Sequence, residues 1–301
     1  MHVLSNFLGE IAGLGAALFA GLTGLLAKAI GTRMSAIATN AARCTVAAGI
    51  FSLALLQGGD LPVFDVHSVF WIMLSVLFSI VLGDTFFFLA IRHIGVSRAT
   101  PIAKAYPACT VLLGFALLGE PLSATKMAGV ATAICGTILL SGQSITADST
   151  AAHDRKAHWR GVMFAIATAA SWSLGLIAIK LALATWTVWQ TNIVRMYLAV
   201  AMLWPLAWRT GILPTCAQWL ERSTVVFVIA IGMCLSCSTL CLILAVAKIG
   251  AGSASVYSSM APLFAVPLSA LIFGETLTAR VLIGAALSMA GVIGITLSRG
   301  Y

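Results

Sequence analysis

The chain has 301 residues, of which 60% are hydrophobic and only 9% are charged, and its mean hydropathy is +1.05. A soluble domain carries roughly 25% charged residues, so this composition excludes a protein whose whole surface faces water. A net charge of +8 would suggest a nucleic-acid partner for a soluble protein. Here the basic residues lie mostly in short connections between apolar runs, which favours contact with lipid head groups, and we expect no nucleic-acid partner.

Ten apolar segments follow one another along the chain, and each is long enough to cross a bilayer, which takes about 20 residues of helix. Numbered in chain order, they cover residues 7–28, 34–56, 68–90, 98–118, 124–143, 160–183, 187–208, 223–247, 252–273 and 278–298. A polar linker, 144–159, separates a first five-helix unit (1–143) from a second (160–301). We therefore expect an all-α, multi-pass protein of a cell membrane, the inner membrane of a bacterium.

The two halves repeat one another. The sequence that begins at Ala90 recurs without a gap 155 residues later, from Ala245, and the N-terminal parts of the halves match at an offset of 152. Because five helices is an odd number, the second half enters the membrane upside down relative to the first, which predicts inverted repeats. A duplicated, wholly transmembrane chain is typical of a secondary transporter with its substrate site between the halves.

Charge inside a membrane span is costly and marks a functional site by default, and two charged residues, Asp84 and Lys104, stand out in the predicted spans. Asp84 in segment three and Lys104 in segment four both lie roughly 9–12 Å below the same membrane surface, at 1.5 Å of rise per residue. In one interpretation Asp84 binds a substrate amine or a proton, while Lys104 holds or releases it. In the other, the two form a permanent ion pair that neutralises both charges.

A second set of polar residues is present in both halves. Asn40 and Arg43 in segment two match Asn192 and Arg195 in segment seven, and the spacing of three places each pair on one helix face. The arginines are candidates for binding a carboxylate or a phosphate. The alternative is a structural role, in which they extend to the membrane interface or fix loops.

Proline and aromatic residues suggest where a cavity lies. Pro107 and Pro262 fall inside segments four and nine, where proline removes a backbone hydrogen bond and kinks a helix. Interrupted helices line the cavities of transporters. Tyr106, Trp172 and Tyr257 are therefore predicted to line the cavity, with packing in the core as the alternative.

Two motifs lie near the C-terminal end of each half. Glu120 and Glu275 lie in the turns that precede segments five and ten, where a carboxylate beside a helix N-terminus is stabilised; we expect a structural role, with gating as the alternative. Glycines recur about every seven residues in segments five and ten, which lets helices approach closely. This pattern indicates packing, and a homodimer through segments five and ten is one form that the packing can take.

These features resemble the EamA-type branch of the drug/metabolite transporter superfamily. The resemblance covers nearly the whole chain and is strongest in Gly119-Glu120-Pro121-Leu122-Ser123 and Gly274-Glu275-Thr276-Leu277-Thr278. It departs from the family at Ala20-Gly21, where an aromatic pair is expected. The family implies ten helices, a central cavity, and export of small metabolites, amino acids or drugs. It also implies cytoplasmic termini, whereas the positive charges of the loops predict both termini outside.

We therefore expect a secondary active transporter that exports small metabolites, such as amino acids or similar amphipathic compounds, by alternating access. The driving force is exchange with protons or the substrate gradient. The alternatives are a flippase for drugs or lipid-linked substrates, and a membrane-embedded enzyme or sensor. Because no P-loop, HExxH or nucleophile-elbow motif is present in the sequence, ATP-driven transport and hydrolysis are unsupported, and we predict no enzyme activity and no cofactor. We also predict no metal site, because the cysteines of segment eight have no histidine or acidic residue near them in sequence.

Overall fold

The structure is a computed structural model that describes residues 7–30, 34–56, 65–94, 99, 102–141, 155–210, 221–273 and 279–297. Within these residues, every regular element is a helix. The α-helices are α1 (Leu8–Ile30), α2 (Ala36–Leu56), α3 (Val66–Ser75), α4 (Asp84–Ile94), α5 (Tyr106–Leu118), α6 (Ala124–Ser141), α7 (Arg155–Ala182), α8 (Val188–Arg209), α9 (Arg222–Ser259), α10 (Ala261–Phe273) and α11 (Ala279–Leu297). A π-helix, Val76–Gly83, joins α3 to α4.

The helices have the length and composition of a multi-pass membrane protein, as predicted. Within the part of the chain that the structure describes, four stretches are long and apolar enough to cross a membrane, namely Leu8–Leu26, Val66–Phe87, His158–Ala182 and Arg222–Ala265. Four shorter helices, Ile37–Leu53, Ile102–Leu118, Ala124–Leu139 and Leu282–Ile295, are also apolar. Large apolar side chains such as Leu271 point outward, and lipid is the solvent that suits such a surface. The count of ten crossings, their inversion and the choice of membrane stay predictions.

Local sequence fixes several helix ends. The Asp65 carboxylate accepts hydrogen bonds from the amides of His67 (3.2 Å) and Ser68 (3.0 Å) and so caps α3. Thr187 begins α8 with a capping box. Gly119, with a φ of 64°, ends α5 in the left-handed conformation that favours glycine. These caps bond backbone groups that have no partner within the helix.

Helices of one half pack mainly on helices of the other. α1 lies along α9, α2 along α8 and α6 along α11, and the helical stretch 66–94 lies along α7. A Cβ on Gly9 would lie 2.2 Å from the Ile249 side chain, and a Cβ on Gly161 would lie 2.5 Å from the Ile94 side chain. The sequence repeat aligns Gly9 with Gly161 and Ile249 with Ile94. The two halves therefore contact each other through equivalent positions.

The glycine-rich segments five and ten correspond to α6 and α11, which pack on each other. Gly129 faces the backbone of Gly291, and Gly136 faces Gly284 and Ser288. Because these faces cover each other within one chain, a homodimer through α6 and α11 would use their outward faces. That homodimer stays a prediction.

Segments four and nine are both interrupted two residues before their prolines. Ala105, with φ −75° and ψ 0°, precedes α5, and Pro107 lies in the first turn of α5. Met260, with φ −79° and ψ 8°, precedes α10, which has Pro262 as its second residue. Proline suits the first turn of a helix, where its missing N–H has no partner to lose. Each proline thus starts a new helix rather than bending a continuous one.

Candidate functional site

A cavity of about 190 Å³ lies between helices of both halves. Its apolar wall consists of Ala16, Ala20, Leu176, Ile179 and Leu242. Its polar groups are Ser79, Lys104, Tyr106, Trp172, Arg195, Ser238 and Ser258. Among the described residues, the lining therefore combines apolar surface, hydroxyl groups and two cations, and it includes no carboxylate. A cavity with apolar walls and a few convergent polar groups is the usual form of a small-molecule site.

Trp172 occupies a central position in this site. Its indole Nε1 donates a hydrogen bond to Asp84 Oδ1 at 3.2 Å, and its ring lies 5.1 Å from Lys104 Nζ. The ring also meets Tyr106 edge to face, with 5.9 Å between the centroids. A lysine ammonium over an indole is attracted by the ring quadrupole. Trp172 therefore contacts the cation with its ring and the carboxylate with its N–H, and separates the two.

The ion-pair partner of Asp84 is Arg43. Arg43 Nη2 lies 3.6 Å from Asp84 Oδ2, and Asn40 Nδ2 donates a hydrogen bond to the same oxygen at 3.3 Å. Arg43 Nε also donates to Asn40 Oδ1 at 2.7 Å. Asn40 and Arg43 therefore hold an anion that belongs to the protein itself.

The permanent Asp84–Lys104 pair, one of the two interpretations of the sequence, is not formed. Among the described residues, Lys104 has no carboxylate within the 4.0 Å of an ion pair, and its Nζ lies over the face of the Trp172 ring instead. The Lys104 ammonium also donates no hydrogen bond to any described residue. Lys104 thus presents its charge to the cavity.

Arg195 is the second cation of the cavity, and only 6% of its surface is exposed. Its Nε donates to Ser75 Oγ at 3.3 Å and its Nη2 donates to Ser79 Oγ at 2.9 Å. Asn192, one turn earlier, donates to a backbone carbonyl of α8 instead of bonding to Arg195. The two arginines that the repeat relates therefore differ: Arg43 pairs with a carboxylate, and Arg195 bonds only to hydroxyl groups.

The predicted aromatic residues divide between the cavity and the core. Tyr106 lines the cavity and donates a hydrogen bond to the Ser255 carbonyl at 3.1 Å, and its hydroxyl also bonds to Ser258. Tyr257 is only 1% exposed and packs against Gly13 of α1, away from the cavity. The structure thus brings together Lys104, Tyr106, Trp172 and Arg195, with Asp84 behind Trp172.

Sequence reasoning missed Ser79, which the π-helix Val76–Gly83 places beside Arg195. A π-helix occurs mostly as a single wide turn and often at functional sites. It directly precedes Asp84, and Gly83 at its end lies against Trp172. Ser79 is the one polar residue in the eight residues of the π-helix, and this isolated polar residue could have indicated a place at the site. Ser238 and Ser258 were also missed.

Glu120 joins the two halves at a second cavity of about 430 Å³. Its carboxylate accepts hydrogen bonds from the amides of Ala251–Gly252 at 2.6 and 3.1 Å, where Gly250 (φ 81°) interrupts α9. Lys126 Nζ lies 3.8 Å from the same carboxylate. Glu120 thus caps the resumed helix of the other half, and its repeat partner Glu275 lies outside the described residues.

Comparisons with known proteins match most of the chain. A sequence profile of the EamA-like transporter family matches residues 7–142 and 159–297. Among the solved structures, 29 chains match, and one crystal structure of a protein does so with a TM-score of 0.76. The match covers 96% of this chain and 97% of the other at 19% identity, so it demonstrates a shared fold alone. No curated protein matches the chain.

Proposed function

The chain belongs to the EamA-like transporter family, and we propose that it is a secondary active transporter that exports small amphipathic metabolites by alternating access. Family membership supports a membrane transporter of the drug/metabolite type rather than an enzyme. The observation that supports transport of a small amphipathic metabolite is the central cavity, in which charged and aromatic side chains of both halves meet inside an apolar helical protein. Such groups are costly in a membrane unless they serve a ligand or each other.

The size of the cavity favours a small metabolite over a drug or a lipid-linked substrate. Sites for drug-sized ligands occupy about 300–1,000 Å³. The central cavity has about 190 Å³. Its mixture of aliphatic, aromatic and charged groups suits a compound with a short carbon skeleton and ionised ends.

The packing of the two halves supports alternating access. Gly9 on Ile249 and Gly161 on Ile94 are equivalent contacts, exchanged between the halves. In our proposal the ten segments form two inverted five-helix units. If the halves exchange conformations, the access of the cavity then changes from one side of the membrane to the other.

Asp84 is our candidate for proton coupling. Its carboxylate bonds to Trp172, which lines the cavity, and pairs with Arg43 behind it. Protonation of Asp84 would remove the negative charge that holds Arg43 while leaving Trp172 a hydrogen-bond acceptor. In this proposal, proton binding at Asp84 changes the shape of the cavity through the indole ring of Trp172.

Metabolite export by whole cells tests the proposal. The medium of cells that express the wild type is compared with that of cells carrying the empty vector, Trp172→Ala or Trp208→Ala, at equal membrane abundance. Trp208 is 70% exposed at the outer surface of α8, so its variant is a matched control. We expect a compound that accumulates with the wild type and Trp208→Ala and not with Trp172→Ala. Accumulation at vector level for every compound would refute export.

A further inference from the structure

The central site carries more positive charge than the protein neutralises. Three cations lie at the site: Arg43 Nη2 is 3.6 Å from Asp84 Oδ2, and Lys104 and Arg195 line the cavity, where no other described carboxylate is present. Three cations against one anion leave two positive charges. An unpaired charge inside a membrane protein is costly, and a bound anion would offset that cost.

The two unbalanced charges are those that line the cavity. Arg43 is compensated by Asp84 at 3.6 Å and does not line it. Lys104 offers three N–H donors, none of which bonds to a described residue, and the bonds of Arg195 go to serine hydroxyls. Hydroxyl groups accept hydrogen bonds from a cation but do not neutralise its positive charge. Both cations therefore require acceptors that carry negative charge.

The lining also argues against an amine on the ligand. An ammonium group binds best to a carboxylate, and no described carboxylate lines the cavity. Asp84 is already bonded to Asn40, Arg43 and Trp172. An amino acid would find cations for its carboxylate, whereas its amine would find only hydroxyl groups and the Trp172 ring, none of which carries a negative charge.

We propose that the substrate is a small organic dianion, either a dicarboxylate or a phosphate ester, that binds between Lys104 and Arg195. Its carbon skeleton packs on Trp172 and on the aliphatic wall formed by Leu176 and Leu242. The inference rests on the proposed function, because it names the chemical class of the transported compound. It narrows that class from amphipathic metabolites in general to compounds with two negative charges.

A charge series on one carbon skeleton tests the inference. Succinate, succinamate and succinamide carry two, one and no negative charges at pH 8 and have nearly the same size. Thermal unfolding of the purified protein in detergent, at constant ionic strength, measures their binding. We expect succinate to raise Tm in a saturable way and succinamate to need at least about tenfold higher concentration, since a charged hydrogen bond is worth about 1.5–3 kcal/mol. Succinamide should leave Tm unchanged.

Two lysine variants locate the site. Lys104→Met should weaken the binding of succinate at least about tenfold. Lys248→Met, at an exposed lysine of the Glu120 cavity, should bind like the wild type. If Lys104→Met fails to fold, the charge series on the wild type still tests whether the site prefers a dianion. Glycerol 3-phosphate, measured in parallel, distinguishes a phosphate-ester site from a dicarboxylate site.

Either of two results overturns the inference: a Tm shift with succinamide or alanine as large as that with succinate, or unchanged succinate binding in Lys104→Met. A different set of results would refute the proposed transport function. If cells export a neutral or zwitterionic compound in a Trp172-dependent way while no dianion binds, transport stands and the dianion site is refuted. If dianions bind and nothing is exported, the anion site stands and the proposed export is refuted.

Discussion

Asp84→Asn removes the negative charge from the centre of the site and keeps its shape. The asparagine still offers an oxygen to the Trp172 indole, so few hydrogen bonds are lost. Arg43 loses its counter-ion. Removing one partner of a buried ion pair costs about 3–5 kcal/mol, and because the side chains of Asp84 and Arg43 are 21% and 24% exposed, we expect the lower end, about 3 kcal/mol.

A double-mutant cycle identifies the partner. Asp84→Asn combined with Arg43→Gln should recover about 2 kcal/mol of the loss, because the uncompensated guanidinium is gone. The control combination, with Lys104→Gln, should recover less, since Trp172 separates Lys104 from Asp84. Equilibrium unfolding in mixed micelles gives the four free energies of each cycle. Coupling to Arg43 below about 0.5 kcal/mol, or coupling to Lys104 that exceeds it, would refute the assigned pair.

Three further changes test other contacts. Gly250→Ala should destabilise the protein by about 1–2 kcal/mol in thermal unfolding, because its φ of 81° disfavours a Cβ and that Cβ would lie 2.7 Å from the Glu120 carboxylate. The control Gly24→Ala, inside α1 with open space around it, should leave the stability unchanged or raise it. Glu120→Gln should lower the unfolding free energy by about 1–3 kcal/mol through the loss of charged hydrogen bonds, and an unchanged Tm would exclude the capping role. Hydrogen bonds from the Ser68 hydroxyl and amide hold the pKa of Asp65 below its ordinary value, so its contribution to stability persists at neutral pH and is lost as the pH falls through this lowered pKa. In Asp65→Asn, Tm should depend less on pH in that acid range, and an identical pH profile would contradict the cap.

The sequence repeat predicted the architecture because it survives in residues that shape the backbone. The paired prolines and the paired Gly-Glu turns indicated two equivalent units before any contact was known. Charge in an apolar segment was an equally direct signal, and it led to Lys104 and Arg195. Both signals come from residues that are costly in a membrane helix, and such residues can be recognised in the sequence alone.

The partners of those charges could not be predicted, because they depend on how each helix is rotated about its axis. In a membrane the lipid-facing and core-facing sides are both apolar, so the sequence pattern barely fixes that rotation. Asp84 and Lys104 lie at similar depth, yet Trp172 separates them and Arg43 takes the place of Lys104. The π-helix before Asp84 adds a local rotation that no propensity signals, and Ser79 reaches Arg195 because of it.

The interleaved packing of the halves has a consequence for biosynthesis. α1 leaves the ribosome before α9, which begins at Arg222, and the two helices lie along each other. The first half therefore enters the bilayer with the contact faces of α1 and α2 covered by lipid or by an insertion factor, and native contacts form only after the second half arrives. Co-expression of the halves as separate chains should then rebuild the protein, whereas either half alone should be degraded.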